Sequence, residues 1–306
     1  LELQKNYGIS KDDPKIFYDY RAQVISDIRQ KQKSLRTGID SQTNKVLTEK
    51  QKKQYEDDIK ISIYKIENNI EKANSTSDYK MTFESFATSF VTAFIAIFVI
   101  IVAGSAIATE ISTGTIKFWA LTPNKRWKIL TAKILSLLFY LVVITLIMAL
   151  LTLVCGKIFF ATEGNTYLFV KDGVVQKIGN TAFIIEYYFA KIIPIIIFAL
   201  FALMLSVVTR NTSVAIALSI ATYMGNGIMM LIINTYIKKD WIKFIPFNNL
   251  DIASKIFTNF TSPMTISAPN TFVQNTSLMF SLGVLGVCAI LMLVTMYDSF
   301  NKRDII

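Results

Sequence analysis

The chain has 306 residues, 32 Lys and Arg against 22 Asp and Glu, no His, and only two Cys. Apolar residues make up 52%, and the mean hydropathy of +0.43 exceeds that of an ordinary soluble domain of this length. The absence of His excludes Ser-His-Asp and Cys-His nucleophile pairs, HExxH zinc sites and imidazole ligation. Cys155 and Cys288 both fall inside apolar runs, so they carry no disulfide or redox signal. The apolar residues come in long uncharged runs rather than at core spacing, which is the composition of a membrane protein.

The sequence begins with Leu1, with no Met and no basic n-region, and reads as starting inside a longer protein. Residues 1–80 form a polar block with 16 Lys and Arg and 13 Asp and Glu. Asp12-Asp13-Pro14 reads as a helix start, and Phe17, Tyr20, Val24 and Ile28 follow as one apolar stripe. Gly38 stands where a left-handed residue would stop that helix. Thr48-Glu-Lys-Gln51 fits a capping box, after which Tyr55, Ile59, Ile63, Ile66 and Ile70 continue at helical spacing. Two helices of about 24 residues, each roughly 36 Å long, are expected to pack as an antiparallel hairpin. Their charges alternate in sign, which fits a solvated surface better than a nucleic-acid arm.

Five membrane segments are expected after this block, at about 84–109, 130–156, 182–209, 212–237 and 276–298. Only Arg210-Asn211 separates the third from the fourth, so these two should form a tight antiparallel pair. The loop at 157–181 is polar and marked by glycines, with a small strand pair expected around Tyr167–Val170 and Val174–Ile178. Residues 238–275 mix Trp241, Phe244 and Phe247 with polar residues, as short interfacial helices do. The fold class expected is therefore an all-α membrane protein, with a helical hairpin at 1–80 and a transmembrane domain at 81–306.

Charge counting barely orients the chain. One set of loops carries eight Lys and Arg (117–133, 210 and 302–303), the other seven (157–177 and 238–255). The 110–133 loop is the best cytoplasmic candidate, since five cations there face Glu110 alone. On that orientation the 1–80 hairpin is extracellular, and a further helix is expected before Leu1.

Glu110-Ile-Ser-Thr-Gly-Thr-Ile-Lys-Phe-Trp-Ala-Leu-Thr-Pro-Asn-Lys-Arg-Trp-Lys then lies between two membrane helices. A surface helix whose cations meet anionic headgroups accounts for its Lys, Arg and Trp. It does not account for the Thr-Gly-Thr and Pro-Asn-Lys-Arg that bracket the helix. With Glu110, Gly114, Thr115, Pro123, Arg126 and Lys133, the loop resembles that of the membrane subunits of type-2 ATP-binding cassette exporters. The ending Phe300-Asn-Lys-Arg-Asp-Ile305 is similar as well, and the resemblance covers roughly residues 82–306. The long 1–80 hairpin departs from many members, which have a short loop there.

The resemblance implies six membrane helices in the full length, one preceding this chain, and a second identical or related membrane subunit. It implies that the 110–129 loop couples to a separate ATPase subunit, through Glu110, Thr113, Gly114, Thr115, Lys117, Trp119, Pro123, Lys125 and Arg126. It also implies a multi-pass place in a bacterial plasma membrane. The chain has no phosphate-binding Gly-x-x-x-x-Gly-Lys-Ser/Thr loop. It is thus expected to be no enzyme by itself and to hold no cofactor, with ATP and Mg²⁺ bound by the partner. Glu186, Lys191 and Asn226 are polar groups within membrane segments and candidates for a translocation path, though end charges commonly snorkel and Asn commonly bonds across helices. The cargo expected is an amphipathic or hydrophobic compound such as a peptide. The alternative is a membrane-anchored sensor or immunity protein whose hairpin captures a ligand without transport. A passive channel fits poorly with so few charges in the spans, and an intramembrane protease or transferase fits least.

Overall fold

Long apolar runs become long helices because, in hydrocarbon, a backbone must satisfy its own hydrogen bonds. The computed structural model of the chain describes residues 20–41, 46–47, 49–68, 70, 79–115, 125–159, 166–171, 173–237, 239–256 and 276–302. Helix α1 (Tyr20–Thr37) and helix α2 (Glu49–Glu67) come first. Next are α3 (Tyr79–Ser105), the short α4 (Ala108–Ser112) and α5 (Arg126–Phe159). Strands β1 (Thr166–Lys171) and β2 (Val174–Gly179) follow, then α6 (Asn180–Thr209) and α7 (Thr212–Tyr236). Two 3₁₀ helices (Asp240–Phe244 and Pro246–Asn249), α8 (Ala253–Ile256) and α9 (Leu278–Lys302) complete the order.

Among these, five helical stretches are long and apolar enough to cross a membrane: Phe86–Ser112, Arg126–Phe159, Thr181–Thr209, Thr212–Ile233 and Leu278–Lys302. Among the described residues the chain is all-α apart from one two-stranded sheet, as the sequence predicts. The second span is longer than its uncharged run, because Arg126 and Lys128 begin the helix rather than precede it.

The chain divides into two compact units. The first joins α1 and α2 to the β-hairpin. Gly38 ends α1 at φ +67°, the left-handed conformation a residue without Cβ adopts freely. An Ile39–Val46 bridge closes the turn, with Leu47 N–H donating to the Gly38 carbonyl at 2.8 Å. Ile25, Ile28 and Ile66 are buried between the two helices, flanked by Val24, Ile59 and Ile63. A second apolar face of α2 meets the sheet: Ile61 packs on fully buried Leu168, with Tyr64, Ile70, Val170 and Val175 around them. β1 and β2 are antiparallel, with Thr166 opposite Gly179 and Lys171 opposite Val174, turning through Gly173 at φ +81°. Asp12–Pro14, Phe17 and Thr48 lie outside the described residues.

In the second unit the spans are fastened by hydroxyl groups. Thr152 and Tyr188 share a 2.8 Å hydrogen bond joining α5 to α6, and Thr88 of α3 also bonds Tyr188. Thr131 and Tyr297 join α5 to α9 at 2.7 Å. Outward-facing Phe139, Met224 and Ile290 are each at least 60% exposed, an inside-out surface that suits lipid rather than water. Below the end of α7, Asn249 donates to the Lys243 and Ile245 carbonyls and accepts from Ser281 at 2.8 Å. Lys255 also reaches Ser281 and Thr276, so the first turn of α9 is held by a buried polar cluster.

Candidate functional site

The Glu110–Lys133 segment is rooted at the joint between α3 and α4. The helical ladder breaks there, with Ala106 N–H bonding back to Ala103 at 3.3 Å. The next two amides, Ile107 and Ala108, donate instead to Ser206 Oγ on α6, at 3.4 and 2.9 Å. Thr109 then meets Thr212 across a 3.3 Å hydroxyl pair. Thr113 donates to the Thr109 carbonyl and shares a 3.0 Å bond with Thr115, whose hydroxyl reaches the Glu110 carbonyl at 3.2 Å. Gly114 turns the chain at φ +74°, with open space where a Cβ would stand. A side chain there is opposed by backbone strain alone.

The two ends of this segment meet. Lys133, on the first turns of α5, is ion-paired with Glu110, and both are about a quarter exposed. Arg126 reaches the Asn301 carbonyl of α9 at 3.5 Å, Lys128 lies over Trp127, and Lys125 is exposed. Lys117, Trp119 and Pro123 lie outside the described residues. The tight turn between α6 and α7 sits beside this root. Arg210 adopts φ +54°, Thr209 Oγ1 donates to the Asn211 carbonyl, and Asn211 Oδ1 caps α7 by accepting from Val214 N–H at 3.2 Å. The Asn211-Thr-Ser213 sequence thus serves a helix start.

The three polar residues expected along a path differ in their surroundings. Lys191 pairs with Asp251 at 3.7 Å and lies 5.4 Å from the Tyr187 ring centre. Glu186, five residues earlier, faces another side of α6 and is exposed. Asn226 donates to the Tyr223 carbonyl of its own helix, so its recorded bond is intrahelical. Sequence spacing offered no sign of the Lys191–Asp251 pair, whose partners lie 60 residues apart. Among the described residues no group of three or more Cys, Asp or Glu side chains is placed to hold a metal ion.

A family model described as "Protein of unknown function (DUF2705)" matches residues 46–306, from the α1–α2 turn to the last residue. The chain belongs to the DUF2705 family. Among curated relatives, the "Uncharacterized protein YhcI" of Bacillus subtilis (strain 168) is 30% identical over 257 residues, covering 82% of this chain and 76% of the relative. The "Uncharacterized membrane protein YdbK" of the same organism is 27% identical over 210 residues, 67% of this chain and 76% of the relative. No solved structure matches the chain. Five apolar helices, their exposed apolar flanks and a relative named as a membrane protein together identify this member of the family as membrane-embedded.

Proposed function

We propose that this DUF2705 member is the transmembrane subunit of an ATP-driven exporter, coupled through its 110–129 loop to a separate ATPase subunit. One observation carries the reading. Glu110 and Lys133, the first and last residues of the segment that resembles the exporter loop, are ion-paired at the base of that loop. The ion pair fixes the two ends of the loop against each other, next to the turn of Thr113–Thr115. Lys125 and Arg126 stand where the loop re-enters α5, suited to lipid phosphates or to acidic groups of the ATPase. ATP with Mg²⁺, held by that partner, supplies the free energy. This chain's part is to convert closure of the partner into a rigid-body movement of its helices against a second membrane subunit.

The crossing pattern supports one sidedness. Two spans separate α2 from β1, and an even number of crossings returns a chain to the side it left. Packing of Leu168 on Ile61 requires the same. The α1–α2 hairpin and the β-hairpin are therefore read as extracellular, in a bacterial plasma membrane, with the basic loop inside. The exposed apolar helices suit an amphipathic or hydrophobic cargo such as a peptide. The compact first unit, whose helices and strands share a core, favours a second reading as a ligand-capturing sensor without transport.

Purification of the full-length protein in mild detergent, followed by an ATPase assay, tests the proposal. Co-purifying ATPase activity, with cargo stimulation lost in Gly114→Ala or Arg126→Glu while the basal rate persists, is the expected result. Intact protein that brings no ATPase from any of several detergents would overturn it and leave the sensor reading.

A further inference from the structure

We infer that α4, the short helix at the root of the 110–129 loop, moves as one body with the α6–α7 hairpin, with Ser206 and Gly104 as the positioning residues that join them. A continuous helix would pass a displacement of the loop straight up α3. Here the ladder is interrupted: α3 ends at Ser105, Ala106 N–H bonds back to the Ala103 carbonyl at 3.3 Å, and α4 starts afresh at Ala108. Ile107 and Ala108 are 2% and 0% exposed, and their amides have left α3 for one acceptor on another span. A serine hydroxyl has two lone pairs and serves both. Ser206 is itself fully buried, so water offers no replacement.

Gly104 makes the joint close. A Cβ there would stand 2.8 Å from Ile216 Cγ1 and 3.3 Å from the Ile216 backbone nitrogen. Only a glycine lets α7 approach this far, and that approach sets Thr212 against Thr109. α4 thus hangs from α6 and α7 by hydrogen bonds, and from α3 by an interrupted ladder. A push on the loop enters the third and fourth spans.

The use of this joint in coupling rests on the exporter reading, but its existence does not. The experiment takes the full-length protein in lipid nanodiscs, alone and with any ATPase that co-purifies. Amide exchange over residues 107–112 is compared between the parent chain, Ser206→Ala and Ser206→Thr. Disulfide formation in a Thr109→Cys/Thr212→Cys pair is measured in the parent and Ser206→Ala backgrounds. Loss of the shared acceptor should speed exchange by about tenfold or more and slow the cross-link several-fold, with Thr restoring both. If S206A does not survive extraction, Ser206→Cys, a weaker acceptor, gives the graded comparison. Exchange and cross-linking unchanged in S206A, or in S206C where S206A is lost, would overturn the inference. Faster exchange in a protein that binds no ATPase would uphold the joint and remove the exporter reading. Faster exchange with cargo-stimulated ATP hydrolysis also lost upholds both.

Discussion

At the scale of single residues, the first unit carries an ammonium group it gains nothing by burying. Lys65 lies between α1 and α2, 9% exposed, near the Lys31–Asp58 ion pair. Burial, reinforced by the charge of Lys31, lowers its pKa from 10.5 to about 8, and Asp58 and Asp27 only partly offset this. Below pH 8 the group is protonated whether folded or unfolded, so the cost of burial is constant. Between about 8 and 10.5 the unfolded chain holds a proton that the folded one has released, so stability rises with pH across that window. Tyr55 acts oppositely: burial, with Asp40 beside it, keeps its hydroxyl protonated past its usual range, so stability falls again above about pH 10. Circular-dichroism melts should therefore show the unit's transition rising from about pH 7.5 to 9.5. Lys65→Met should flatten that rise and add on the order of 1–3 kcal/mol at neutral pH. An unchanged slope in Lys65→Met would show that another group titrates.

At the scale of elements, what the sequence made legible is what a solvent enforces. Hydrocarbon demands unbroken apolar runs, so the five spans could be placed from composition alone. Gly38 and Gly173 were readable as turns because positive φ excludes most side chains. The second face of α2 was not readable. The periodic stripe through Ile59, Ile63 and Ile66 accounts for α1, while Ile61 and Tyr64 read as incidental until a partner about a hundred residues away covers them. The cluster of Asn249, Lys255 and Ser281 was hidden for the same reason, since each residue alone is an ordinary loop or helix-end polar group. The α2–sheet contact makes a direct prediction. Leu168→Ala, at a fully buried position, should cost about 2–5 kcal/mol in the first unit. Val174→Ala, on the exposed part of β2, should stay within about 0.5 kcal/mol. Equal losses from the two would mean that the sheet does not pack on α2.

At the scale of the whole molecule, charge alone left the orientation open, eight basic residues against seven. The α2–sheet contact, invisible to charge counting, joins α1, α2 and the β-hairpin into one unit although two spans separate them in sequence. The candidate loop itself was visible only as a motif. Its root could not be seen in sequence, because Ser206 and Thr212 lie about a hundred residues from the amides and hydroxyl they meet. Docking of this loop on an ATPase subunit can be read by photo-cross-linking in the intact membrane. A benzophenone side chain replaces Trp119 in the full-length protein and Val174 in a control, and cells are irradiated before lysis. A coupling loop should give an adduct from position 119 to a protein carrying a phosphate-binding loop, and none from position 174. Adducts from 119 to lipid alone, or the ATPase captured from 174 instead, would contradict it.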